Sequence, residues 1–201
     1  MKNTFAFSIL LTLFTFLGSS YTTPTESTSY AVDTEASEVV WKGYKVLGSH
    51  TGTIAVKNGN LEFTEGALTG GSFEIDMTSI SCSDLEGEWA DKLVGHLSSD
   101  DFFGVATYPT AKFVITSVVS RGTEGDYKII GDLTIKETTK SIKLKAQLTE
   151  GEEGEMTATT DATIDRSDFN VKYGSGSFFD GLGDKTIYDE FDLSIKLVAT
   201  K

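Results

Sequence analysis

The chain has 201 residues, 39% of them hydrophobic, with 30 acidic against 17 basic side chains and a formal charge of −13. That balance excludes nucleic acid as a partner and argues against adhesion to anionic membrane surfaces, since both call for a basic patch. Twenty glycines beside two prolines suit one β-rich domain with tight turns, and a lone cysteine, Cys82, leaves no internal disulfide to hold it.

Lys2 and Asn3 precede an apolar run over residues 5–17, followed by Gly18-Ser19-Ser20. A charged start, a short apolar stretch and small residues make residues 1–20 a secretory signal peptide. The run is shorter than the ~20 residues a membrane-spanning helix needs, so an uncleaved anchor is the lesser reading. Cleavage would remove Lys2 and no acid, taking the mature side chains to −14. Residues 21–29, Thr/Ser-rich around Pro24, read as a linker, and residues 30–201 as the domain. The expected location is the periplasm or the medium, with no stable membrane insertion after cleavage.

From residue 30 onward, apolar and polar side chains alternate in short runs, the period of strands with one buried face. Residues 30–33 form a short strand, residues 39–44 a second and residues 50–56 a third. Asn58-Gly59-Asn60 is a hairpin turn signal, because Asn and Gly tolerate positive φ. Gly70-Gly71 opens a strand with Phe73, Ile75 and Met77 on one face and Ser72, Glu74 and Asp76 on the other. The pattern then changes. Ser83 and Glu86 have capping-box spacing, and Leu85, Trp89, Leu93 and Leu97 recur every four residues, an apolar stripe expected to pack on the sheet. Phe102-Phe103 and the Tyr108-Pro109 turn follow.

Alternation resumes with Phe113 and Ile115, then Tyr127, Ile129, Leu133 and Ile135, then Ile142, Leu144, Ala146 and Leu148. Residues 157–164 form a threonine-rich strand. Residues 165–185 are irregular and rich in Gly, Ser, Asp and Phe; connections longer than ~12–15 residues are usually functional or disordered, and the aromatics argue against disorder. Residues 188–197 form the last strand, closing on the first. About eight hairpin-connected strands and one helix predict an all-β fold, an antiparallel eight-stranded lipocalin-like barrel with one short helix as a lid insertion. Such a barrel has room for side chains or one slim ligand.

Trp41-Lys42-Gly43, Ser49-His50-Thr51-Gly52, the strand from Gly71 to Met77, the stretch from Leu93 to Phe103, Tyr108-Pro109-Thr110-Ala111-Lys112-Phe113 and Gly131-Asp132-Leu133-Thr134-Ile135 stand in the order and spacing of the YceI-like family. Asp165-Arg166-Ser167-Asp168-Phe169 resembles that family's late Arg-x-Asp-Phe motif. Singly these motifs are weak; together, in order, they are specific. The resemblance implies a lipocalin-like barrel whose long apolar cavity holds a polyisoprenoid or another long-chain lipid, in a protein commonly exported to the periplasm. Two departures stand out: Glu137 replaces a frequent glycine, which alters a turn, and residues 173–185 look elaborated, which bears on ligand choice if they line a cavity mouth.

On that resemblance, the wall candidates are Trp41, Phe73, Ile75, Met77, Phe113, Ile115, Leu133, Ile135, Leu144 and Leu193, and the lid candidates Trp89, Leu93, Leu97, Phe102 and Phe103. Each could equally be ordinary core. Arg166 suits a phosphate or carboxylate head group, although a loop-bracing cluster with Asp165 and Asp168 is the plainer reading. His50 and His96, with Asp100 or Asp101, lack the recurring spacing of a zinc site; a hydrogen bond from His96 to a lid carbonyl is favoured, and Cys82 is expected to be a small buried hydrophobe. No phosphate loop, nucleophile elbow or triad is visible. The favoured function is a non-catalytic lipid carrier or store without a resident cofactor, its bound lipid an isoprenoid quinone or polyprenyl chain and a homodimer possible. The competing readings are an enzyme acting on a lipid inside the barrel and a ligand-free interaction module with a solid interior.

Overall fold

The computed structural model describes residues 26–201, so the expected signal peptide and most of the expected linker lie outside the described residues. Among the described residues, nine antiparallel strands form one sheet: β1 (Ser27–Lys45), β2 (Gly48–Thr53), β3 (Ala55–Thr64), β4 (Ala67–Asp76), β5 (Thr110–Ser120), β6 (Asp126–Ile135), β7 (Thr138–Glu150), β8 (Met156–Asp165) and β9 (Ile187–Thr200). Pairing of β1 with β9 closes the sheet into a barrel. Both β2 and β3 pair with β1 and are parted only at Ile54, so they act as one bent strand and the barrel is eight-stranded. The single α-helix of the described residues, α1 (Glu88–Ser98), lies between β4 and β5.

Several local readings change. Ser27, Thr28 and Ser29 belong to β1 rather than to a linker. The two expected first strands are one, interrupted by a bulge where Asp33 accepts hydrogen bonds from the Glu35 and Ala36 amides. Asn58-Gly59-Asn60 is no turn: it lies inside β3, and the hairpin turns at Glu65 and Gly66, both at positive φ. Gly59 answers to packing, because a Cβ there would stand 2.7 Å from the Phe73 ring. The helix begins at Glu88 behind Gly87 with no side-chain cap, so Ser83 and Glu86 do not cap it. Cys82 is only half-buried, its thiol donating to Asp84 Oδ1 at 3.3 Å.

The barrel interior divides lengthwise. At one end Leu61, Phe63, Leu68, Phe73, Ile129, Leu148 and Ala199 form a packed core. Phe73 and Phe113 lie stacked there, ring centroids 6.5 Å apart. Gly131 makes room for that pair: a Cβ on it would collide with the Phe113 ring. At the other end Met77, Val105, Ala111, Ile135, Ile164 and Phe169 form a second core, set around open space.

Candidate functional site

That open space is a cavity of about 510 Å³, within the ~300–1,000 Å³ usual for small-molecule sites. Its walls follow from strand alternation, which sends every second side chain inward. Trp41 from β1, Ile75 from β4, Ala111 from β5, Leu133 and Ile135 from β6 and Phe191 and Leu193 from β9 line it, joined by Met77 and Ile80 just after β4. Gly43 occupies an inward position on β1 and leaves it empty, with no atom within 4 Å of where a Cβ would stand.

The roof is α1 and the turns after it. Leu93, His96 and Leu97 face the cavity from the helix, and Phe102 and Phe103 from the turns, their rings 5.1 Å apart. Backbone bonds from Phe102 to Ser99, Phe103 to Leu97 and Val105 to Ser98 knit the roof into one body. It is tied to the barrel where the Met77 amide donates to the Pro109 carbonyl at 3.0 Å. Lys136 adds a second tie, its ammonium donating to the Phe102 carbonyl at 3.4 Å and lying 5.8 Å from the Tyr108 ring. The Tyr108 hydroxyl holds the Glu137 carboxyl below the usual glutamate range, and Glu137 in turn raises Tyr108. The positive φ in that turn is taken by Lys136.

Polar groups gather toward the mouth. Lys45, His50, Tyr173, Asp184, Lys185 and Tyr188 line it. His50 Nδ1 lies 3.0 Å from Asp84 Oδ2 rather than being held for a metal with His96. Partial burial pushes Asp84 up, but the Thr51 amide, the Cys82 thiol and His50 outweigh it and hold the carboxyl below its usual value. The His96 ring packs edge-to-face on Tyr173 at 4.3 Å and on Phe102 at 5.7 Å. It is the His96 backbone carbonyl, not its ring, that enters the lid's hydrogen bonds, accepting from Ser99.

Arg166 sits at the inner edge of the mouth and is only 2% exposed. Nε donates to the Tyr188 carbonyl (3.1 Å), Nη1 to the Val171 carbonyl (2.7 Å) and Nη2 to the Ile187 carbonyl (3.0 Å). Nη2 also lies 3.2 Å from Asp189 Oδ1, a buried oxygen with no hydrogen-bond partner of its own. Phe102 covers the guanidinium at 5.2 Å. Burial lowers the pKa of Arg166, with Asp189 and Asp165 opposing it, and a guanidinium stays charged under such conditions. The expected cluster with Asp165 and Asp168 is not formed: Asp165 caps the turn at Ser167, and Asp168 reaches Lys140 at 3.5 Å. Arg166 is a knot that fixes the 166–189 segment beside the cavity. Phe169, Val171 and Ser175 of that segment are almost wholly buried.

Of the sequence-derived candidates, the structure brings eleven to the cavity: Trp41, Ile75, Met77, Leu93, Leu97, Phe102, Phe103, Leu133, Ile135, Arg166 and Leu193. It places Phe73, Phe113, Ile115 and Leu144 in or against the packed core, outside the cavity lining. Trp89 projects into solvent, 70% exposed, instead of packing on the barrel. Sequence reasoning missed Gly43, Ile54, Ile80, His96, Tyr173, Lys185, Tyr188 and Phe191 as lining residues. Phe191 and Gly43 were within reach, since each shares an alternating strand face with a named candidate; Tyr173 and Lys185, on irregular backbone, had no periodic signal.

A closed antiparallel barrel with a roofed apolar cavity defines a lipocalin-like protein. Within that class, the profile of the YceI-like domain family matches residues 30–199, and the chain belongs to that family. It is 31% identical over 185 residues to a UPF0312 protein of Pseudomonas putida, covering 86% of this chain and 88% of that one. It is 33% identical over 142 residues to a UPF0312 protein of Shewanella denitrificans, covering 67% and 70%. Among solved structures, Burkholderia cenocepacia BcnA superposes with a TM-score of 0.66 at 24% identity, over 84% of this chain and 99% of that one. A polyisoprenoid binding domain from Saccharophagus degradans superposes at 0.64 and 14% identity, over 85% and 97%. At those identities the two superpositions speak for the fold.

Proposed function

We propose that this protein is an exported, non-catalytic carrier of a long-chain apolar lipid of the polyisoprenoid class. The observation that carries the reading is the division of the barrel into a packed half and a hollow half walled by apolar side chains. An empty apolar cavity is costly, by ~24 cal/mol per Å³ in core-truncation data, so a fold that keeps one gains by filling it. Each methylene buried there is worth ~0.8 kcal/mol. About ten supply ~8 kcal/mol, the equivalent of micromolar affinity before the cost of immobilising the chain. The tail enters past the roof and the head group stays near Lys45, His50 and Lys185. The Saccharophagus domain of the same fold, described as polyisoprenoid binding, supports the choice of cargo.

The non-catalytic reading is supported by the engagement of the charged groups. Arg166 is held by three carbonyls and Asp189, and His50 by Asp84. The ligand-free module expected a solid interior, which only the far half has. Native mass spectrometry of the mature protein from its own host, followed by organic extraction, tests the proposal. A stoichiometric long-chain species is expected. A clean apo mass, with no uptake of added isoprenoid quinones, would overturn it.

A further inference from the structure

The mouth is framed by apolar side chains that the barrel leaves in solvent. Leu47 is 73% exposed at the tip of the β1–β2 hairpin, next to mouth-lining Lys45. Tyr173 and Tyr188 line the mouth and are about half exposed, and the segment between them carries the exposed Phe178 and Phe179. Trp89 lies one helical turn before Leu93, which faces the cavity. Exposed apolar side chains grouped around one opening mark an interaction surface.

The company they keep identifies the partner. Lys92 Nζ sits 5.0 Å from the Trp89 ring and Lys172 Nζ 5.0 Å from the Phe178 ring. Exposed aromatic rings with lysine ammonium groups beside them suit the membrane–water interface, where rings sit at headgroup level. Protein interfaces take up aromatics but are depleted in lysine. The charge fits as well. Of the charged side chains that line the cavity, Lys45, Arg166 and Lys185 outnumber Asp184, in a chain with 30 acids and 17 bases. The cavity lining is thus less acidic than the molecule as a whole. Acids elsewhere on the barrel are screened beyond ~8 Å at physiological salt. Among the described residues no helix is long and apolar enough to span a membrane.

We infer that the mouth rim docks on the interfacial zone of a lipid bilayer, through its apolar side chains rather than through net charge. The inference rests on the carrier reading, and it gives the cargo a dry path between bilayer and cavity. Docking and uptake are measured separately, so one can fail without the other.

The two tryptophans make the test direct. Trp41 is buried, its indole bonded to the Ser81 carbonyl, while Trp89 is in solvent. The mature protein is titrated with phosphatidylcholine vesicles and followed by tryptophan emission and co-sedimentation. Expected are a blue shift that vanishes in Trp89→Phe, co-sedimentation that survives added salt, and a fall of about tenfold, one decade of binding constant, in the Leu47→Asp/Phe179→Asp double variant. No co-sedimentation, or a blue shift that grows with protein concentration in the absence of vesicles, would overturn the inference, the latter in favour of a second copy of the chain. Binding seen only with added phosphatidylglycerol and released by salt would overturn it in favour of electrostatic adhesion. Uptake of a quinone without vesicle binding would sink the docking surface and leave the carrier standing.

Discussion

At the scale of single residues, Gly43 and Arg166 set the mouth in opposite ways, one by absence and one by attachment. Gly43 lies on β1 without positive φ, beside the register shift that precedes Lys45, and has open space where a side chain would go. Gly43→Phe should therefore fold and put a ring across the opening. Lipid affinity is expected to fall by about tenfold or more, near 1.4 kcal/mol, with a melting temperature within a few degrees of the parent. Normal uptake by the folded variant would show that cargo enters elsewhere. Arg166→Met removes a buried cation from three carbonyls and from Asp189, whose Oδ1 then has nothing. Breaking a buried pair on one side costs ~3–5 kcal/mol, a large share of the ~5–15 kcal/mol of a typical domain. Urea unfolding measures it; a loss below about 1 kcal/mol would mean the segment holds its place without the knot. Arg166→Lys keeps the charge but not the planar fork, and should recover only part of the loss.

At the scale of elements, the strands were legible in the sequence because a side-chain period of two survives any tertiary context that buries one face. The same period put Ile75, Leu133, Ile135 and Leu193 on inward faces. It cannot say at which end of the barrel an inward residue lies, so Phe73, Phe113, Ile115 and Leu144 read as wall although they belong to or pack on the core of the other end. Asn58-Gly59 misled for a related reason: its glycine answers to a phenylalanine on the neighbouring strand, not to a local turn. The 166–189 segment was illegible because its conformation is fixed by Arg166 bonding to carbonyls 21 and 22 residues further on. The packed core makes a prediction of its own. Phe73→Ala should cost ~3–5 kcal/mol as a core truncation and open the hollow half toward the packed half. A panel of prenyl chains of increasing length should then bind with the affinity plateau moved to longer chains. A destabilised variant with an unmoved plateau would show that the Phe73–Phe113 pair does not limit the cargo.

At the scale of the whole molecule, the seam where β1 meets β9 is bound by side chains as well as by backbone. The Tyr44 hydroxyl on β1 donates to Asp192 Oδ2 on β9 at 2.6 Å, and Thr163 on β8 donates to Oδ1 at 2.7 Å. These hydroxyls hold the Asp192 carboxyl below its usual value, against a smaller opposing effect of burial. A carboxylate with a depressed folded pKa contributes stability that is fully present above its unfolded value, ~3.9, and is lost as pH falls through the folded one. Tyr44 has the opposite sign. Its pKa is raised by the bond to Asp192, so its share is present below ~10 and lost as pH rises through the folded value. Thermal melts should accordingly show a plateau through neutrality with a fall at each end, and Asp192→Asn should soften both falls. Unchanged acid and alkaline limbs in that variant would mean the seam does not depend on the charge.

The closure has one more consequence. Ala31 pairs with Thr200, and the Lys201 ammonium lies 5.7 Å from the Tyr30 ring, so the first and last strands begin and end together at the packed end. The opening is at the other pole. A surface that grips the protein at this packed end, near Ala31 and Thr200, therefore holds it like a cup by its base, with the rim free. Protein immobilised through a surface residue at this packed end should load as readily as protein in solution.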